Sequence, residues 1–158
     1  MSLLSEAWCL PHNRATTPAE AIAELAGLLV SAGRVKDTFI AAAIDREARS
    51  PTGLPFAPPA VALPHAETEH VILPTIAIAT LAHDVDFREM GSPDDIVKAR
   101  IVVMPALTAK EQAAASLARI IEVLQDDALR AALVQANTAK AIHDLLAPHW
   151  SKRPLEHG

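Results

Sequence analysis

The sequence has little of what several classes of protein require. The single Cys9 cannot form an internal disulfide, and the chain does not open with the charged, apolar and small-residue segments of a signal peptide. Aromatic residues make up 3% of the chain and its net charge is -5, which disfavours base-stacking platforms and a basic nucleic-acid footprint. The longest apolar run, residues 71–82, contains Pro74 and is shorter than the roughly 18 residues of a membrane span. We therefore expect a cytoplasmic protein with no nucleic-acid partner and no direct membrane insertion.

Apolar residues are what the chain has in quantity. They make up 51% of the 158 residues, which is enough for one domain to bury a full core. The length is too short for two well-stabilised domains, and no internal repeat is visible. We expect a single domain over residues 1–158.

Helix signals stand on both sides of the middle of the chain. Thr17-Pro18-Ala19-Glu20 combines an N-cap threonine, a proline at the first helical position and a glutamate three residues after the cap, and Gly33 marks the helix end. Thr108-Ala109-Lys110-Glu111 has the pattern of a capping box ahead of a second helical periodicity. Helices besides the first are expected over residues 36–49, from 108 to 124, over 126–135 and over 138–146.

Strand signals fill the middle of the chain. Residues 75–81 alternate larger and smaller side chains, and residues 99–106 form a second apolar run. Residues 50–59 are rich in turn formers, and residues 84–94 are expected to connect the two strands. Helices on either side of a short apolar sheet predict an α/β fold. We expect a layered sandwich in which a central mixed β-sheet is flanked by helices on both faces.

One histidine stands out by its position. Val61-Ala62-Leu63-Pro64-His65-Ala66 places a single imidazole at the end of a strand-like apolar run. The pyrrolidine ring of Pro64 restricts the backbone leading to His65, which suits a side chain that must present one ring nitrogen to a reactant. The sequence therefore predicts that His65 is a functional residue.

Several short motifs follow one another in a fixed order over residues 45–124. They are Arg46-Glu47, the Ser-x-Thr-Gly turn at 50–53, the apolar-Pro-His step at 61–65, the strand and Val-x-Phe at 75–87, the Gly-x-x-Asp turn at 91–94, and the strand and Glu-Gln helix start at 99–112. In this order they resemble the enzyme IIA component of the mannitol/fructose class of the bacterial phosphoenolpyruvate-dependent sugar phosphotransferase system. Leu63 before Pro64-His65 and the run of residues 87–91 are most similar to the galactitol-type subgroup.

The resemblance implies a phosphotransferase component that works through a phosphohistidine and needs no cofactor. His65 would accept a phosphoryl group from a histidine-phosphorylated carrier protein and pass it to a cysteine of a IIB component, which serves a membrane IIC component in sugar uptake. A neutral imidazole is nucleophilic, and a dianionic group in a loose transition state needs cationic and hydrogen-bonding donors. Arg46 supplies a permanent positive charge, and Thr52 supplies a hydroxyl donor.

The supporting site residues also have simpler interpretations. Arg46 near a helix end is explained as well by the helix dipole, and Thr52 by ordinary turn chemistry. Many members of the wider class carry a second histidine where this chain has Gln112. An amide donates a hydrogen bond but supplies no positive charge, and a solvated helix face is the alternative interpretation of Gln112.

Other functions were weighed against this one. His65, Glu67, Glu69 and His70 resemble a metal cluster, but no second ligand set with recognisable spacing exists, so no metal is expected. A regulatory phosphoprotein of the same fold, and an interaction module that has lost phosphorylation, are the rival functions. Apolar residues near His65 are expected to dock the carrier, and the candidates are Leu54, Phe56 and Val85.

Overall fold

Strand β4, Thr75–Glu89, contributes side chains to two buried hydrophobic clusters, one on each face of the sheet. The structure, a computed structural model, describes residues 3–150 apart from the side chains of residues 111 and 112. Along β4, Ile76 and Ile78 face one buried cluster while Ala77 and Ala79 face another. Successive side chains of a strand point to opposite faces, so the alternation of large and small residues divides the strand between two layers.

The sheet is mixed and five-stranded. The other strands are β1, Cys9–Asn13; β2, Gly53–Leu54; β3, Ala60–Ala62; and β5, Ser92–Ala106. β4 pairs antiparallel with β5, β5 parallel with β3, β3 antiparallel with β2, and β2 parallel with β4. These four strands therefore form a closed circuit, and β1 extends the sheet by pairing parallel with β4.

Helices cover both faces of this sheet. One cluster joins the first face to α1, Pro18–Ser31, and α2, Phe39–Arg49. The other face packs against α3, Lys110–Leu124; α4, Asp127–Gln135; and α5, Ala139–Trp150. The predicted α/β sandwich with helices on both faces is confirmed.

No helix among residues 3–150 combines the length and the apolar character needed to cross a membrane.

Most of the predicted element boundaries hold, and the caps explain them. Thr17 accepts a hydrogen bond from the Glu20 N–H, with Pro18 in the first turn of α1, as predicted. Asp126 accepts from Leu129 N–H at the start of α4. α5 runs four residues beyond its predicted end at 146, because Leu146 and Trp150 both bury against the same cluster.

Besides the end of α5, three predictions of element limits were wrong. α2 begins at Phe39 rather than at residue 36, and the N-cap of α3 is Ala109 without a side-chain hydrogen bond, not Thr108. Residues 84–94 are not a connection, because β4 and β5 continue through most of them as a hairpin. In that hairpin Val85 and Phe87 are buried while their neighbours are exposed, which is the pattern of a strand with one solvated face.

Gly53 lets two parts of the closed circuit approach closely. A Cβ at this position would lie 2.6 Å from the Arg88 carbonyl oxygen and 2.9 Å from the Cβ of Val97. Only a residue without a side chain allows this contact. The glycine therefore lets the turn that contains Thr52 lie against the turn end of the β4–β5 hairpin, where Gly53 pairs with Glu89.

Candidate functional site

His65 lies in the segment between β3 and β4, three residues beyond the end of β3. It forms part of the wall of a cleft of 280 Å³ between this segment, the end of α2 and the start of α3. The residues that line the cleft are Arg46, His65, Ala66, Glu67, Thr68, Pro105, Leu107, Lys110, Ala113, Ala114 and Leu117.

The backbone just before His65 selects its tautomer. Nδ1 of His65 lies 2.8 Å from the carbonyl oxygen of Leu63, two residues earlier. A carbonyl oxygen only accepts, so Nδ1 carries the proton and donates it to Leu63. The other nitrogen, Nε2, is then unprotonated and has a lone pair. It is the nitrogen that a neutral His65 presents to an electrophile.

The environment of His65 favours the neutral ring. Burial lowers its pKa from the ordinary value of 6.5, the hydrogen bond to Leu63 raises it, and the charge of Arg46 lowers it while that of Glu67 raises it. Desolvation is the largest of these effects, since a buried imidazolium loses more hydration than a buried imidazole. At neutral pH the ring is therefore predominantly in its nucleophilic form.

Arg46 contributes positive charge to the same cleft from the last turn of α2. Its Nη1 donates to Oε2 of Glu67, and this bond is the main reason why the pKa of Glu67 lies below its ordinary value. Nε of Arg46 is buried and has no hydrogen-bond partner among the described residues. The position at the end of α2 also fits the simpler dipole interpretation, so the role of Arg46 toward a phosphoryl group stays a prediction.

Lys110 is a second cation of the cleft, and the sequence motifs did not reveal it. It is exposed at the first position of α3, whose opening turns also contribute Ala113, Ala114 and Leu117 to the wall. A helix start presents free backbone N–H groups, and the helix dipole favours an anion there. The expected capping box drew attention to the helix start, but only the packing of α3 against the His65 segment places Lys110 in the cleft.

Thr52 has a role other than the predicted one. Its side chain is buried, and it is not among the residues that line the cleft. The hydroxyl donates to Oε1 of Glu47 at 2.8 Å and accepts from the Leu63 N–H at 3.0 Å. A hydroxyl has one proton, so Thr52 has none left to donate to a phosphoryl group.

Gln112 lies in the first turn of α3, but its side chain is outside the part of the chain that the structure describes. Its contribution therefore stays a prediction.

The residues of the metal-like cluster have separate partners. Glu67 pairs with Arg46, and Nδ1 of His70 lies 2.8 Å from the Thr38 hydroxyl. In the described part of the chain, no three His, Cys, Asp or Glu side chains are grouped so as to hold a metal ion.

The apolar docking candidates must be revised. Leu54 and Val85 are buried, and Phe56 packs partly buried against the cluster on the α3 side of the sheet. Ile72 and Leu73, a few residues after His65, are instead 49% and 40% exposed. Near His65 in the sequence, the exposed large apolar residues are therefore Ile72 and Leu73, which follow it.

Solved structures share this fold. The crystal structure of mannitol IIA from Escherichia coli superposes with a TM-score of 0.73 at 25% identity, covering 90% of this chain and 98% of that chain. A solved complex of mannitol IIA and phosphorylated mannitol IIB from Escherichia coli matches with a TM-score of 0.72 at 24% identity, covering 92% of this chain and 99% of that chain.

The family follows from the sequence as a whole. Residues 2–148 match the family model described as phosphoenolpyruvate-dependent sugar phosphotransferase system, EIIA 2, and the chain belongs to this family. A fructose-specific EIIA component from Haloferax volcanii is 31% identical over 129 residues, which cover 80% of each chain. A fructose-specific EIIABC component from Bacillus subtilis is 32% identical over 133 residues, which are 81% of this chain and 20% of that longer protein. The predicted family is confirmed.

Proposed function

We propose that this chain is a phosphocarrier that accepts a phosphoryl group on Nε2 of His65 and passes it to a cysteine of a IIB component. One observation carries the proposal. The 2.8 Å hydrogen bond from Nδ1 to Leu63 leaves Nε2 as the lone-pair nitrogen of a ring in the wall of a cleft that also contains Arg46 and Lys110.

The chemistry is two successive displacements at phosphorus. Nε2 of neutral His65 attacks the phosphoryl group of a carrier phosphohistidine whose other ring nitrogen is protonated. The carrier's N–P bond breaks, its electron pair returns to nitrogen, and the carrier's imidazole leaves as a neutral ring. A cysteine thiolate of IIB then attacks the same phosphorus, a P–S bond forms, and the N–P bond to His65 breaks. Neither step requires a general base in this chain, and Leu63 holds the Nδ1 proton throughout.

Electrostatics govern both steps. The transferred group carries negative charge on its equatorial oxygens, so preorganised cations act on the transition state. Arg46 and Lys110 supply that charge from α2 and α3, which converge on His65. Glu67 moderates it by pairing with Arg46. A moderated site is suited to a carrier, because a phosphoryl group bound too strongly would not be passed on.

The relatives support the partners. The relative from Bacillus subtilis carries A, B and C components in its name, and the mannitol IIA from Escherichia coli has been solved in complex with phosphorylated IIB. These names support a IIB partner and an indirect IIC partner for this chain. The histidine-phosphorylated carrier is the donor that the proposed reaction requires, and the proposal keeps the cytoplasmic location expected from the sequence.

The transported sugar stays open between subgroups. The galactitol-type resemblance of residues 87–91 and of Leu63 is a prediction, while the matched relatives are named for fructose and mannitol. Selectivity for a sugar belongs to the membrane component, so the cleft of this chain need not recognise it.

A labelled-phosphate transfer assay tests the proposal. The purified chain is mixed with a radiolabelled phosphohistidine carrier, and then with a IIB protein of the fructose, mannitol or galactitol type. We expect acid-labile, base-stable label that is absent in His65→Ala and retained in His83→Ala, a matched control on the exposed part of β4. Label should then move to the IIB cysteine.

Each step of the assay excludes a rival. Wild-type protein that takes up no label contradicts the phosphocarrier proposal and favours an interaction module. Label that reaches His65 but passes to none of the IIB proteins favours the regulatory phosphoprotein.

A further inference from the structure

Three residues connect α2 to the tautomer of His65 through hydrogen bonds and the backbone of Leu63. The carboxylate of Glu47 accepts from the Thr52 N–H at 2.9 Å and from the Thr52 hydroxyl at 2.8 Å. The same hydroxyl accepts from the Leu63 N–H at 3.0 Å, and the Leu63 carbonyl accepts from His65 Nδ1 at 2.8 Å. We call Glu47, Thr52 and Leu63 the Glu47 chain.

The Glu47 chain is directional. A carboxylate only accepts, so the hydroxyl proton of Thr52 points to Glu47 and a lone pair points to Leu63. Glu47 and Thr52 are both buried, with 8% and 3% exposure, so water does not compete for these bonds. Burial raises the pKa of Glu47, while the two hydrogen bonds from Thr52 oppose that rise by favouring the carboxylate.

Leu63 is held on both sides of its Cα. The bond from its N–H to Thr52 orients the peptide plane before it, and the ring of Pro64 restricts the backbone after it. The direction of the Leu63 carbonyl is then determined, and that carbonyl is what retains the proton on Nδ1. A change at Thr52 therefore reaches His65 without any contact between the two side chains.

We infer that Glu47 and Thr52 are positioning residues that act through Leu63 to hold His65 in the Nδ1-protonated tautomer, so that Nε2 is the reactive nitrogen. The inference deepens the proposed function and rests on it for the identity of the reacting group. Arg46 and Glu47 are adjacent in sequence but have different roles in this inference. Arg46 lines the cleft, whereas Glu47 acts on His65 through Thr52 and Leu63.

Two substitutions break the Glu47 chain with little change of shape. Thr52→Val removes the hydroxyl, which leaves Leu63 N–H unpaired. In Glu47→Gln an amide replaces the carboxylate, and in either orientation one Thr52 donor loses its acceptor. Thr52→Ser keeps the hydroxyl and serves as the rescue. Thr80→Val is the matched control, because Thr80 is also a buried threonine whose hydroxyl accepts a backbone N–H, from His12.

The imidazole ¹⁵N resonances of His65 test the inference directly. In the wild type we expect a protonated Nδ1 and an unprotonated Nε2, and in Thr52→Val and Glu47→Gln a mixture of tautomers. Thr52→Ser and Thr80→Val should retain the wild-type signals. The rate of His65 phosphorylation should fall about 10–100-fold in the first two variants, by analogy with the loss found when a residue that orients a metal-ligating histidine is removed. Part of their phosphohistidine should carry phosphorus on Nδ1, resolved by ³¹P NMR.

The outcomes separate the inference from the proposed function. Wild-type tautomer and rate in folded Glu47→Gln and Thr52→Val overturn the inference and leave the phosphocarrier proposal standing. A tautomer that depends on Thr52, in a wild type that takes up no phosphate, sustains the positioning and overturns the function. If Thr52→Val does not fold, the tautomer of Glu47→Gln decides.

Discussion

Arg46 and Glu67 form an ion pair at the cleft that contains His65, so the permanent cation of the site is already partnered before a phosphoryl group arrives. Both side chains are about one third exposed, which leaves the pair open to competition from an incoming anion. In the proposed phosphocarrier, Glu67 therefore competes with the phosphoryl group for Arg46, and it lies two residues after the proposed acceptor His65. This relationship makes opposite predictions for the two partners.

Arg46→Ala should slow phosphorylation of His65. The variant loses a cation that faces the equatorial oxygens, so the activation free energy should rise by about 2–4 kcal/mol. Arg49→Ala is the matched control, because Arg49 is the next basic residue of α2 and pairs with Asp45 on an exposed surface. Rapid-quench measurement of label uptake compares them. Equal rates for Arg46→Ala and the wild type would make Arg46 a purely structural helix-end residue.

Glu67→Gln should instead favour the phosphorylated form of His65. Without the carboxylate, Arg46 is free for the phosphoryl group and one repelling charge is removed. We expect the equilibrium between carrier and His65 to move about two- to fivefold toward phospho-His65, as for a half-exposed ion pair worth up to ~1 kcal/mol. The control is Glu69→Gln, an exposed residue on the same segment. A shift toward the carrier in Glu67→Gln would contradict the competition.

The pH profile of phosphorylation should have its acid limb below pH 6.5. The reactive form is neutral His65, and burial lowers the pKa of this ring, so the ring stays neutral to lower pH than a free histidine. Unfolded His65 binds a proton more readily than folded His65, so the stability contributed by this residue falls as the pH falls through 6.5. Rates measured from about pH 5 to pH 8 test this. A midpoint above 6.5 would show that attraction for the proton outweighs burial.

Lys110→Ala should also slow phosphoryl transfer. Lys110 is exposed at the start of α3, so its charge is screened and the loss should be smaller than for Arg46, about 1 kcal/mol in activation free energy. Lys98→Ala on the β4–β5 hairpin, where Lys98 pairs with Asp86, controls for the change in net charge. If both variants lose the same amount of phosphoryl-transfer rate, Lys110 acts only through long-range electrostatics.

Gly53→Ala should destabilise the fold. Its Cβ would meet the Arg88 carbonyl oxygen at 2.6 Å, so the turn or the hairpin must move, at a cost of about 1–3 kcal/mol. Gly27→Ala is the opposite case, because its Cβ meets nothing within 4 Å inside α1 and alanine favours a helix. Urea denaturation of both variants measures the free energy of unfolding. Equal stability of Gly53→Ala and the wild type would mean that the turn adapts easily.

The elements with strong periodicity could be predicted from the sequence, and those without it could not. α1 and α4 carry both apolar spacing and capping residues, so their limits lie close to the predicted ones. β1 was not predicted, because it has five residues with Pro11 among them, and its pairing with β4 depends on a distant segment. β2 has only two residues, and it is a strand because β3 pairs with one of its edges and β4 with the other.

The same division holds within the site. His65 could be proposed because a single imidazole after an apolar run and a proline is a local pattern, and Arg46 because it belongs to an ordered family motif. The structure places both in one cleft, and their roles stay predictions. Glu67 was given no role by the sequence, since a sequence does not show which cation a carboxylate pairs with, and only the structure pairs it with Arg46. Residues 1–158 as the extent of the domain, and any role of Gln112, stay predictions.

By itself the sequence determined the family and the layered α/β fold, and it pointed to His65 as the candidate nucleophile, because the motifs behind each prediction are formed by residues close together in sequence. Only the tertiary structure showed the hydrogen bonds around that candidate. The sequence predicted Thr52 as a hydrogen-bond donor to phosphate, whereas the structure shows its hydroxyl linking Glu47 to Leu63. Lys110 lines the cleft. Neither could be predicted, because hydrogen-bond direction and proximity depend on segments that the fold brings together.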